Sequence, residues 1–178
     1  MKRTGPIAAT SLATRSTAAL GLLLAMLVLA ACQGCAQHGE TGIDSQQLDR
    51  LVESHRGRVV LVDFWATWCP PCVALFPHTV ELSRRYADRG LSVLTVSLDD
   101  PGDEAAVGRF LAEHEATTTE NFLARNGASS QTVAEFEIEG GSIPCLKVYD
   151  RHGELRATIS GNYPDEIDRA VEEWLNKT

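Results

Sequence analysis

An α/β fold with a mixed central sheet is predicted by three features of the chain. Val59–Trp65 and Leu91–Ser97 are short apolar runs rich in β-branched residues, the pattern of strands shielded on both faces. A helical pattern over residues 70–88 lies between them, which makes a β-α-β unit, a parallel pair with a right-handed crossover. Farther on, residues 146–149 and 155–159 flank the turn Asp150-Arg151-His152-Gly153, so an antiparallel hairpin joins the same sheet.

The elements follow in order. Asp44 caps a helix running to about residue 55, and residues 58–65 form the first strand. The helix over 70–88 starts at Pro70, where proline's fixed φ suits a first turn. After the strand at 91–97, a helix over 101–114 is opened by Pro101 and by acidic Asp103 and Glu104. Residues 119–124 are a short extended piece, and 130–136 a short helix. The hairpin comes next, and Pro164–Asn176 closes the chain as a helix with Ile167, Val171, Trp174 and Leu175 on one face. No internal repeat or low-complexity tract interrupts this pattern.

A chain of 178 residues has room for one domain with its own core and a targeting segment. Lys2, Arg3 and Arg15 carry the only charges before residue 40, and the apolar run over 18–31 is short for a membrane span, so residues 1–31 read as a secretory signal. The signal ends in Leu29-Ala30-Ala31-Cys32, which resembles the lipobox of bacterial lipoproteins, where the cysteine is lipidated and becomes the first mature residue. The alternative is an ordinary signal cut nearby, leaving Cys32 as a free thiol. Gln33 follows Cys32 where Asp would oppose it, a pattern that in many proteobacteria accompanies outer-membrane sorting. Residues 32–43 form a glycine-bearing lipidated tether, and 44–178 the folded domain. Removing residues 1–31 deletes three basic residues and no acidic ones, taking the formal charge from −8 to −11, which argues against nucleic acid as a partner.

Five cysteines are present: Cys32, Cys35, Cys69, Cys72 and Cys145. Trp68-Cys69-Pro70-Pro71-Cys72 sits between the first strand and its helix. There the unpaired N–H groups and positive end of the helix favour a thiolate on the first cysteine. The second thiol, one turn away, can attack a mixed disulfide formed by the first and close a small ring. A purely structural disulfide is the alternative, but so short a loop adds little stability. A four-cysteine zinc site is disfavoured because the first Cys-x-x-Cys pair falls in the lipobox; a haem attachment would need His after Cys72, where Val73 stands. No metal or cofactor is expected. Cys35 reads as an incidental tether thiol.

Val62-Asp63-Phe64-Trp65-Ala66-Thr67-Trp68-Cys69-Pro70-Pro71-Cys72, with Pro77 five residues later and Ile143-Pro144 opening the hairpin, resembles thioredoxin over roughly residues 45–176. The signal, the lipobox and the extra segment before Pro144 make the chain most similar to membrane-attached thioredoxin-like proteins of the TlpA/ResA type. That resemblance implies a thioredoxin-like three-layer α/β/α sandwich and an extracytoplasmic thiol–disulfide oxidoreductase. It acts on protein thiols and disulfides, more as a reductase than an oxidase. A reductase in an oxidising compartment needs a membrane electron donor.

The resemblance also assigns roles. Cys69 is the attacking thiolate and Cys72 the resolving thiol. Asp63, costly in an apolar strand unless protonated or paired, is the buried acid that handles the Cys72 proton. Pro144 is cis, and its loop offers Ile143 backbone groups to an extended substrate. Trp68, Pro70 and Pro71 belong to the contact surface, while Trp65 packs in the core. Cys145, where thioredoxin commonly has Thr, is either an accessory thiol or a small buried residue at the start of a strand.

One departure stands out: cytochrome-maturation reductases of this group carry a glutamate two residues before the proline after the cysteine pair, and this chain has Leu75. Apocytochrome is therefore disfavoured as a substrate. Two other readings remain: a DsbA-like disulfide donor, and a non-enzymatic binding or copper-delivery lipoprotein in which His78 would join Cys69 and Cys72. The acidic group Asp99, Asp100, Asp103 and Glu104 reads as solvated helix capping.

Overall fold

The computed structural model describes residues 42–177. The signal, Cys32 and Cys35 lie outside the described residues, as does nearly all of the tether. The elements are α1 (Ser45–Ser54), β1 (Val59–Trp65), α2 (Pro70–Tyr86), β2 (Leu91–Ser97), α3 (Glu104–Glu113), β3 (Glu120–Leu123), α4 (Ser130–Glu135), β4 (Cys145–Tyr149), β5 (Leu155–Ser160) and α5 (Pro164–Asn176). Asp44 caps α1 with a reciprocal box, accepting from Gln47 N–H at 2.8 Å while the Gln47 side chain accepts from Asp44 N–H. A single 3-10 turn precedes α3 at Pro101–Asp103.

The five strands are ordered β3-β2-β1-β4-β5, with β1, β2 and β3 parallel and β4 antiparallel to both β1 and β5. Strand β1 is buried along its whole length, as a central strand covered on both faces must be. Its side chains alternate between two helical layers. Val59 and Leu61 pack with Leu75, Leu82 and Tyr86 of α2 and Ile167 and Val171 of α5; Val60, Val62 and Phe64 join Leu48 and Val52 of α1 and Phe136. Trp65, next on the α2 face, packs in tilted contact with Phe76 of α2 and Phe110 of α3, ring centroids 4.5 and 4.6 Å away. The result is the thioredoxin-like three-layer arrangement with a mixed central sheet.

Two placements that the sequence pattern does not mark follow from contacts with other segments of the chain. Ile43, placed in the tether by sequence, is buried and bridges in parallel to Ala124, with its N–H donating to Leu123 O at 2.7 Å. Lys147 is buried in the middle of β4, where period-two alternation puts it on the α1 face. Its Nζ donates to Phe136 O at 2.8 Å, at the carboxyl end of α4, which satisfies the ammonium and suits the helix dipole.

Candidate active site

The parallel strands β1 and β2 end side by side, Trp65 opposite Ser97, and β4 begins beside them with Cys145 opposite Phe64. Loops leaving this edge converge, as ligand and catalytic loops do at the carboxyl ends of parallel strands. Here the turn 66–69 leads into α2 and the loop 142–144 leads into β4.

Cys69 is the N-cap of α2, and Cys69 and Cys72 are joined in a disulfide. Prolines at the first two helical positions have no N–H, so the first backbone donor of the helix is that of Cys72. It points at Cys69 Sγ across 3.3 Å. The two prolines therefore leave the sulfur one well-aimed donor rather than none. Cys69 is 5% exposed and Cys72 1%, so both are buried and Cys69 is the more accessible of the two. Trp68, Pro70 and Pro71 are exposed around it, and Pro77 lies within α2.

The Ile143–Pro144 peptide bond is cis. Ile143 O lies 3.6 Å from Cys69 Sγ, so the loop before β4 meets the pair directly. Gly161, just past β5, donates its N–H to Pro144 O at 2.8 Å and fastens that loop from the other side.

Asp63 points from β1 toward α2 and is 1% exposed. Burial pushes its carboxyl up from 3.8 to about 7, against the opposing effect of the Thr79 hydroxyl, which donates to Oδ2 at 2.7 Å. Asp63 Oδ1 has no hydrogen-bond partner among the described residues. A carboxyl so poised can exchange a proton near neutrality. Thr79 was not singled out from sequence, although it stands seven residues after Cys72 and so shares its helix face.

Cys145 is buried at the start of β4. It pairs with Phe64, so its side chain leaves the sheet on the side opposite Asp63. Burial pushes its thiol up, with a smaller opposing effect from Ser160. Cys145, Cys69 and Cys72 belong to one buried cluster, with the Cys145 side chain on the α1 face of the sheet. His78 Nε2 is 2.8 Å from Asp168 of α5, and among the described residues no group of three or more His, Cys, Asp or Glu side chains could hold a metal ion.

The acidic group after β2 corrects the sequence reading. Asp100, Asp103 and Glu104 are exposed, but Asp99 is 1% exposed. Its Oδ2 accepts from Thr67 N–H at 3.0 Å and from the Ser97 hydroxyl at 2.5 Å; its Oδ1 accepts from the Thr67 hydroxyl at 2.5 Å. Sequence reasoning missed this residue because acidic side chains after a strand commonly face a following helix. Strand register makes the contact: Trp65 pairs with Ser97, so the residues two steps beyond each strand stand opposite one another, a pairing that the local sequence pattern does not record.

The description of the matching family model is Redoxin, and it matches residues 44–171. The thiol-disulfide oxidoreductase ResA of Oceanobacillus iheyensis is 31% identical over 120 residues, covering 67% of this chain and 57% of that protein. The ResA of Geobacillus kaustophilus is 30% identical over 125 residues, covering 70% of this chain and 67% of that protein. The chain thus spans about three fifths to two thirds of the length of these relatives. A crystal structure of a putative thiol:disulfide interchange protein DsbE from Chlorobium tepidum superposes with a TM-score of 0.56 at 26% identity, covering 69% of this chain and 84% of that one.

Proposed function

The chain belongs to the Redoxin family, and from that premise we propose that it is a thiol–disulfide oxidoreductase exchanging electrons with protein substrates through Cys69 and Cys72, more as a reductase than as an oxidant. The observation that carries this reading is the Cys69–Cys72 disulfide at the start of α2, with Cys69 Sγ 3.6 Å from the carbonyl that precedes a cis proline. A buried carboxyl near neutrality lies beneath the same helix.

The reaction in the reducing direction starts from the dithiol. The Cys69 thiolate attacks one sulfur of a substrate disulfide, forming a mixed disulfide and releasing one substrate thiolate. The Cys72 thiol gives its proton to the Asp63 carboxylate and attacks Cys69 Sγ, which expels the second substrate thiolate and closes the Cys69–Cys72 bond. The substrate gains two electrons, and its two thiolates take up the proton held by Asp63 and one from solvent, the equivalent of the one Cys69 released on forming its thiolate; the protein ends in the disulfide state described above. A second dithiol must then return two electrons, and in an oxidising compartment that role falls to a membrane electron donor. Exposed Trp68, Pro70 and Pro71 provide an apolar platform for an extended substrate segment, with Ile143 and Pro144 on its other side.

The chain works outside the cytoplasm in this reading, with residues 1–31 as a signal and Cys32 carrying a lipid that holds domain 44–178 at the membrane through the tether. The lipobox-like run ending in Cys32 supports it. Among the described residues no helix is long and apolar enough to cross a membrane.

The deciding experiment is the equilibrium reduction potential of the Cys69–Cys72 pair in graded glutathione buffers. A value near about −270 mV supports the reductase, and one near about −120 mV supports the disulfide donor instead. A pair without a reversible two-electron couple would overturn the oxidoreductase reading.

A further inference from the structure

The turn that carries Trp68 and delivers Cys69 to the helix is short, and its main chain is held at few points. Cys69 N–H donates to Ala66 O at 3.2 Å, and Leu98 N–H donates to Trp65 O at 2.7 Å. Between them, Thr67 is gripped twice by one side chain, through its N–H and its hydroxyl, by the two oxygens of Asp99. The same carboxylate takes the Ser97 hydroxyl, and Asp99 N–H donates back to Ser97 Oγ at 3.1 Å. Burying this carboxylate costs desolvation, which its three donors offset; two of the three belong to Thr67.

We propose that Asp99 is a positioning residue for the redox pair: by clamping Thr67 it fixes the turn 66–69, so that Cys69 Sγ stays under the Cys72 N–H and beside the Ile143 carbonyl. The assignment rests on the oxidoreductase reading above. It makes a prediction whose sign separates geometry from charge. Removing a negative charge near a thiol lowers that thiol's pKa, because less repulsion opposes the thiolate. Loosening the turn does the reverse, because the thiolate loses an aligned N–H donor and the start of the helix.

Asn can keep the clamp without the charge. Its Oδ1 accepts from Thr67 N–H and the Ser97 hydroxyl, and its amide N–H donates to Thr67 Oγ, which reverses from donor to acceptor. Ala removes the clamp altogether.

The test uses the full chain, reduced, with the rate of iodoacetamide alkylation at Cys69 followed by mass spectrometry as a function of pH. In Asp99→Ala the midpoint should rise by about half a unit or more, which is about threefold less thiolate at a pH well below it. In Asp99→Asn it should stay at the wild-type value or fall. An Asp99→Ala midpoint that is unchanged or lowered overturns the assignment, as does an Asp99→Asn midpoint that rises with it. Melting temperature is recorded alongside, since a merely structural residue would lower it in Asp99→Ala and leave the midpoint alone. If Asp99→Ala does not fold, Thr67→Val carries the test: it loses the hydroxyl contact, keeps the N–H, and should raise the midpoint by a smaller amount, with no rise overturning the assignment. Wild-type protein without a reversible redox couple overturns the oxidoreductase reading and this assignment together; a wild-type couple with unresponsive variants overturns the assignment alone.

Discussion

Asp63 on β1 and Thr79 on α2 are joined by a hydrogen bond of 2.7 Å in which the hydroxyl donates to one carboxyl oxygen, while both residues are sealed from solvent. One neutral donor compensates only part of the cost of burying a charge, which is why the carboxyl is pushed up to about 7.

The stability of the fold should therefore decline with pH. An unfolded Asp titrates near about 3.9, so between about pH 4 and 7 the folded protein binds more protons than the unfolded chain, and unfolding free energy falls as pH rises through that window. The gap between the two values corresponds to about 4 kcal/mol at full ionisation. Asp63→Asn should flatten the profile and be the more stable protein above about pH 7. Urea unfolding at several pH values checks this, and equal slopes in the two proteins would contradict it.

The same carboxyl should appear in catalysis. Reduction of insulin disulfides should rise with pH through a limb near 7, as Asp63 becomes able to take the Cys72 proton. Thr79→Val removes the group that favours the ionised form, so the limb should move to higher pH; Asp63→Asn should abolish it. A limb that stays in place in Thr79→Val would detach Asp63 from the rate.

How much of this was legible in sequence differs from residue to residue. Asp63 was visible because a carboxylate interrupts an apolar strand run, and the pair Cys69 and Cys72 because a strand ends just before them and a helix begins between them. The strands and helices fell within a few residues of their expected bounds, since capping residues and apolar period mark those bounds locally. Asp99 and Lys147 were not legible. Each is a charged residue buried by a partner distant in sequence, Thr67 for one and the Phe136 carbonyl for the other, and local pattern carries no record of such a partner. The side taken by Cys145 was likewise set by its pairing with Phe64, which only the register of β4 against β1 reveals.

Gly161 should resist substitution. Its φ is +113°, and a β-carbon there would stand 2.7 Å from the Tyr163 ring; its N–H also holds Pro144 O. Gly161→Ala should cost about 1–3 kcal/mol from backbone strain and, by displacing the fastening of the Pro144 loop, raise KM for insulin more than it lowers kcat. Thermal melting and steady-state kinetics check the two effects separately, and a KM that does not change would show that the loop holds without this bond.

The division of labour between the two active-site sulfurs predicts which variant accumulates a covalent complex. Cys69 has the greater exposure and the aimed N–H of Cys72, while Cys72 is sealed beneath the turn, so a substrate disulfide meets Cys69 first. In Cys72→Ser the mixed disulfide has no neighbouring thiol to break it and should persist, visible on non-reducing electrophoresis of the protein mixed with insulin. In Cys69→Ser the remaining thiol is too buried to start the exchange, and the complex should be absent. Adding Cys145→Ser to Cys72→Ser should leave the trapped species unchanged, because Cys145 sits on the far side of the sheet and burial keeps its thiol protonated. If the complex instead disappears in that double variant, Cys145 and not Cys69 is the sulfur that holds the substrate, and the order of attack argued from exposure is wrong.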